Sequence, residues 1–223
     1  MKILHIITRL EKGGSSKNVL SSIKSLPNID SYLIYGESKS EEEMLSLKKE
    51  KCFKVKTLIK EISPLKDIIS IFKIYKLIKK IEPDIIHTHT SKAGILGRIA
   101  SYLYKKNINE NILIVHTPHG HILYGYFGKI KTAILVKIEK IVADITDYFI
   151  ALTPAEKWES VAAGIGKAEK WEVIHSGINF PDTRPDQKNS RKNLWIYEDE
   201  FLIGTAGRFE KVKGMEIFVK AAI

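Results

Sequence analysis

Apolar runs alternating with helix-period segments over the first 175 residues predict an α/β fold, a mainly parallel sheet with helices on both faces. Two further observations agree. Leu65–Ile81 carries apolar residues at Ile68, Ile69, Ile71, Phe72, Ile74, Tyr75 and Ile78, the 3.6-residue period of an amphipathic helix. Polar segments rich in glycine and histidine follow directly on several apolar runs, where ligands bind in sheets of this kind.

Taken in order, Ile3–Thr8 is a first, buried strand. Its apolar stretch, Ile3 to Ile7 broken by His5, is too short for a signal h-region or a spanning helix. Ser16–Leu26 is a helix, Tyr32–Tyr35 a second strand, Glu41–Lys51 a charged helix, and Lys54–Ile59 strand-like. Pro83 ends the Leu65–Ile81 helix and Asp84–Thr88 is the next strand. Ala93–Tyr104 (helix), Ile112–Thr117 (strand), Lys129–Ala143 (helix), Tyr148–Leu152 (strand), Pro154–Ala163 (helix) and Trp171–His175 (strand) complete the alternation. Residues 1–175 therefore form one domain. The polar segment Ser176–Asn193, with two prolines, reads as a linker. Residues 194–223 begin a second domain: the run Phe201–Ile203 as a strand, the small residues Gly204 to Gly207 as a turn, and Met215–Ile223 as a helix.

Composition bounds the function. The single cysteine, Cys52, excludes an internal disulfide and gives no reason to expect secretion, so the cytoplasm is expected. The net charge of +10 is concentrated: between Lys48 and Lys80 eleven lysines face Glu50, Glu61 and Asp67, a local +8. Two accounts stand, a solvated helix face and attraction to an anionic membrane surface at the inner face of the plasma membrane, where each lysine adds ~1 kcal/mol. Nucleic acid is not expected as a partner, because the basic stretch has no binding motif and few aromatics.

Four segments hold the chemistry. In Thr8–Asn18, Gly13 and Gly14 let backbone approach a ligand, and Ser15 or Ser16 can cap the following helix and leave its amides facing an anion. The stretch His87-Thr-His89-Thr-Ser-Lys92 follows one strand and His116-Thr-Pro-His119-Gly-His121 another, so five of the seven histidines gather in two strand-end loops. Metal ligation is one account of them, but no carboxylate accompanies them. Hydrogen bonding to the hydroxyls of a polar substrate is the better one, with His119 made most exposed by Pro118 and Gly120. Near the carboxy end, Gly207-Arg208 and Lys213-Gly214 join a glycine turn to a helix start with two cations, suited to a diphosphate.

Five pieces in this order, Ile3–Gly14, Pro83–Arg98, His116–Gly120, Val173–Asn179 and Gly207–Gly214, make the chain similar to the amino-terminal half of a GT-B retaining glycosyltransferase of family 4. The resemblance implies two Rossmann-like domains, the second, donor-binding one cut short here. It places Gly13, Gly14, Ser15 and Gly207 near the donor phosphates and His119 beside the transferred sugar. Arg208 and Lys213 would then hold the diphosphate in place of a divalent cation, so no metal and no cofactor is expected and the nucleotide-sugar is a substrate. Lys211 is expected to be solvated. His89, Lys92, His121 and Tyr124 become acceptor-side candidates. The aromatics at 124, 126 and 127 beside lysines suit either a membrane interface or core packing.

One departure stands out. The family's E-x7-E motif is missing from the expected place; Glu42 and Glu50 have the spacing but lie on an early charged segment. The 223-residue chain alone is therefore expected to be inactive or nearly so. The leading reading is transfer of a sugar from a nucleotide-sugar to a glycan or lipid-linked acceptor in cell-surface polysaccharide synthesis. A sugar-nucleotide epimerase of the same fold and a non-catalytic remnant that binds acceptor or membrane are the alternatives.

Overall fold

The computed structural model describes residues 1–11, 13–38, 47–120, 123, 128–178, 183–207, 209 and 213–222. It divides into two units, one of Met1–Leu123 with Phe127–Gly177, the other holding Ile178–Ile223.

The first unit is an all-parallel sheet of seven strands: β1 (Lys2–Ile7), β2 (Asp30–Tyr35), β3 (Cys52–Lys54), β4 (Ile85–His89), β5 (Leu113–Thr117), β6 (Tyr148–Ala151) and β7 (Trp171–Val173). Their order is β3-β2-β1-β4-β5-β6-β7, so the winding direction reverses between β1 and β4. That switch point opens a crevice at the carboxyl ends of the strands. The crossovers carry α1 (Gly14–Ser25), α2 (Pro64–Ile81), α3 (Ser91–Asn107), α4 (Lys129–Asp144) and α5 (Pro154–Ala162).

Strand alternation sorts the apolar residues onto two faces. Leu4, Ile6, Ile34, Ile86 and Ile114 pack with Ile74 and Ile78 of α2 and Leu96 and Ala100 of α3. Ile7, Leu33 and Tyr35 pack on the other side with Val19 and Leu20 of α1. Beneath β6 and β7 a third cluster forms around Phe149 and Trp171, whose rings stack at 4.5 Å. Helix α3 sits close to the sheet because Gly94 has no side chain: a Cβ there would lie 2.4 Å from His116 Cε1. Arg98, on the same helix, is fully buried, donating to the Gly94 carbonyl at 2.8 Å and pairing with Glu139 of α4 at 2.5 Å.

Several expected elements shift. Helix α1 starts at Gly14, so Ser15 and Ser16 lie inside it and neither caps it; Ser16 is buried and donates to the Arg9 carbonyl instead. Lys49–Lys51 is a 3-10 turn, and the rest of the expected Glu41–Lys51 helix, with Glu42, lies largely outside the described residues. The strand there is Cys52–Lys54, beginning two residues earlier than expected and ending at Lys54 because it pairs with Leu33–Tyr35; Val55–Leu58 then forms a turn.

In the second unit, the expected linker contains α6 (Gln187–Asn193), whose first amides donate to the Asp186 carboxylate, a capping signal overlooked among the prolines. Phe201–Ile203 forms no strand, having no paired strand among the described residues. Helix α7 (Met215–Ala222) follows, and no described residue from 183 to 222 is buried.

Candidate functional site

The switch point is built from the ends of β1, β4 and β5. Their parallel register sets His5 beside His87, Ile7 beside His89, and His89 beside Thr117. Because side chains alternate, His5, His87, His89 and Thr117 share one face, while Thr88 and His116 share the other. His87 and His116 lie within the strands expected for them, and β4 runs one residue further than expected to take in His89 as well; His89 and His116 are buried.

Backbone turns close the crevice. Thr90 (φ 63°) and His119 (φ 59°) occupy the left-handed region, unusual for non-glycine residues. Thr90 Oγ1 and Thr8 Oγ1 lie 2.8 Å apart, and the Ala93 amide donates to Thr8 Oγ1, tying the β1 loop to the start of α3. After β5 the chain doubles back, and His119 Nε2 comes to 3.0 Å from His89 Nδ1. His89 Nε2 in turn lies 3.1 Å from His5 Nδ1. His87 is tilted against His89, ring centroids 4.0 Å apart, with its Nε2 2.8 Å from Thr117 Oγ1.

Burial keeps these rings uncharged. It lowers His5 and His119 to about 4, and takes His87, His89 and His116 well below the ordinary histidine value, with neighbouring histidines adding to the effect. At neutral pH each ring carries one N–H and offers one bare nitrogen.

The expected site residues fall out as follows. Gly13 and Gly14 are exposed at the start of α1, Gly13 in the N-cap position and Ser15 half-buried in the first turn. His119 is half-buried with Nε2 turned inward to His89. His89 is buried within the sheet, so it meets His5 and His119 rather than an acceptor. Lys92 is paired with Asp67 of α2 at 2.5 Å, which ties α3 to α2. Gly207 and Lys213 belong to the second unit and are exposed. Arg208, Lys211, His121 and Tyr124, and the aromatics at 126 and 127, lie outside the described residues.

Two residues escaped sequence reading. His5 sits in an apolar strand, and only the β1–β4 register reveals its neighbours. Glu156, buried in α5, accepts from the Gly120 amide at 2.9 Å and the Leu152 amide at 2.6 Å, locking the turn that aims His119. Thr153-Pro-Ala-Glu156 is a capping-box spacing that could have flagged it. His5, His87 and His89 place ring nitrogens within 4.8 Å of one another, close enough for a metal ion, yet among the described residues no carboxylate joins this set.

The model of Glycosyltransferase Family 4 matches residues 36–180. The chain belongs to that family. It is 35% identical over 159 residues to the UDP-Gal:alpha-D-GlcNAc-diphosphoundecaprenol alpha-1,3-galactosyltransferase of Escherichia coli, covering 70% of this chain and 40% of that protein. With the capsular polysaccharide biosynthesis glycosyltransferase CapM of Staphylococcus aureus it shares 24% identity over 225 residues, 99% of this chain and 56% of the relative. Among solved structures, a sucrose-phosphate synthase from Thermosynechococcus elongatus matches 99% of this chain and 59% of its own, with a TM-score of 0.70 at 18% identity, a likeness of fold. The fold of this family 4 glycosyltransferase chain is of GT-B type. The chain spans between 40% and 58% of the length of the relatives it matches.

Proposed function

We propose that this family 4 chain serves transfer of a sugar from a nucleoside-diphosphate sugar to a glycan or lipid-linked acceptor, with retention at the anomeric carbon, in cell-surface polysaccharide synthesis. The observation that carries the reading is His119. It is an uncharged imidazole held by a left-handed turn at the mouth of the β1–β4 switch point, with Nδ1 left free of His89 for a ligand. Family membership supports transfer over epimerisation; the lipid-linked acceptor of the E. coli relative and the capsular role of the S. aureus relative support the acceptor class.

In this mechanism the donor phosphates approach the backbone at Gly13 and Gly14 and the first turn of α1, where Ser15 sits. His119 touches the sugar under transfer. Departure of the nucleoside diphosphate builds negative charge, which Arg208 and Lys213, beside Gly207, stabilise without a metal ion. A charge-assisted hydrogen bond contributes about 1.5–3 kcal/mol, so removing Arg208 slows transfer more than tenfold. His121 and Tyr124 are the acceptor-side candidates. Lys92, already paired with Asp67, acts on it only through the packing of α2 against α3.

A lipid-linked acceptor calls for a membrane surface. On α2, Leu65, Ile68 and Phe72 are exposed on one face beside Lys66, Lys73 and Lys76, a pattern that suits peripheral docking to anionic lipid on the cytoplasmic side. Among the described residues no helix is long and apolar enough to cross a membrane.

The test is an assay, in a protein that joins this chain to a complete donor-binding domain, with radiolabelled UDP-hexoses and a short polyprenyl-diphosphate-linked sugar. Label entering the lipid fraction, lost in Arg208→Ala with the fold intact, is the expected result. Isomerisation of the free nucleotide-sugar without label transfer would favour an epimerase. Liposome binding without any turnover would leave only a binding role.

A further inference from the structure

The three imidazoles that run inward from the crevice form a line: His119 Nε2 to His89 Nδ1 at 3.0 Å, then His89 Nε2 to His5 Nδ1 at 3.1 Å. His5 and His89 are each at least 98% buried, and their rings are stacked within 19°. The line ends at His5 Nε2, a buried nitrogen with no hydrogen-bond partner among the described residues.

Three neutral rings bonded in series cannot choose their tautomers independently. If His5 carries its proton on Nδ1 it donates to His89 Nε2. His89 must then carry its proton on Nδ1 and donate to His119 Nε2, which leaves His119 with Nδ1–H. In the opposite sense every proton moves to Nε2, and His5 is left with a buried N–H that has nothing to bond. An orphaned buried N–H is the rarer defect; the first sense leaves only a bare ring nitrogen there.

We infer that His5 and His89 are positioning residues that fix the tautomer of His119, so that it presents an Nδ1–H to an oxygen of the bound sugar or diphosphate. Free histidine side chains in water prefer the Nε2–H form, so the line imposes the less common tautomer. His87 stands outside it, bonded to Thr117 through Nε2, and packs its ring against His89. A metal ion on His5, His87 and His89 is the competing use of the same nitrogens. It would bury a double positive charge with no carboxylate among its ligands.

The coupling stands on this geometry alone; its consequence for transfer rests on the role proposed for His119. Two-bond proton–nitrogen NMR at neutral pH reads each tautomer directly. The expected spectrum shows Nδ1–H at His5, His89 and His119. His5→Leu returns His119 toward Nε2–H, and His5→Asn, whose side-chain amide can donate from near the Nδ1 position, restores Nδ1–H. Transfer then falls about tenfold in kcat for His5→Leu with little change in KM, and recovers in His5→Asn. An Nε2–H His119 in the unaltered protein, or a His119 indifferent to folded His5→Leu, overturns the inference. So does a purified protein that retains metal and has bare His5 Nδ1 and His89 Nε2. A tautomer pattern as expected with no transfer activity would instead fault the functional reading.

Discussion

The sheet unit and residues 183–222 use the same apolar residue types and end differently. In the sheet unit Trp171 and Phe149 stack in a closed cluster and seven parallel strands satisfy one another's backbone. In the second, Trp195 and Phe201 are 94% and 90% exposed, and Phe201–Ile203 is extended without a paired strand among the described residues. An apolar run becomes a strand only where a neighbour accepts its hydrogen bonds. The difference also separates the roles of the two regions: the sheet unit has the buried support that can aim a side chain, as the Glu156 clamp and the histidine line aim His119.

Acid should break the comparison most sharply. His5 and His119, lowered to about 4, hold fewer protons in the fold than their ordinary value of 6.5 would allow, so the stability they contribute is present above 6.5 and lost as pH falls toward 4; burial of His87, His89 and His116 acts in the same direction. Each of His5 and His119 removes about 1.4 kcal/mol per pH unit in that window. Chemical denaturation of the sheet unit followed from pH 7 to pH 5 should lose several kcal/mol, whereas residues 183–222 have no such buried group. A flat profile would contradict the burial of the line.

Trp171→Ala comes next, with an expected loss of about 3–5 kcal/mol in denaturant titration, because the ring leaves a cavity against Phe149. Gly94→Ala should cost about 1–3 kcal/mol, since the new methyl meets the His116 ring and α3 must move outward. Phe201→Ala sharpens the contrast from the other side: the midpoint should shift by less than about 0.5 kcal/mol. A large loss there would mean that Phe201 is buried in solution.

Much of this was legible in the sequence because parallel strands buried on both sides announce themselves as short apolar runs, and Pro64, Pro83 and Pro154 mark helix starts and ends. Strand ends were less legible, since β4 runs through His89 because β1 and β5 both pair with it that far. The histidine line was half visible. His87-x-His89 declared two rings on one strand face, but His5 joins them through a register between segments 82 residues apart in sequence. Phe201–Ile203 misled for the opposite reason: its composition is that of a strand, and composition says nothing of a partner.

The most direct measurement of the central claim compares His119→Ala with the unaltered protein in sugar transfer, with thermal unfolding recorded on the same samples. The account predicts a melting temperature near that of the unaltered protein and transfer reduced about a hundredfold. A folded His119→Ala protein transferring sugar at the original rate would contradict it.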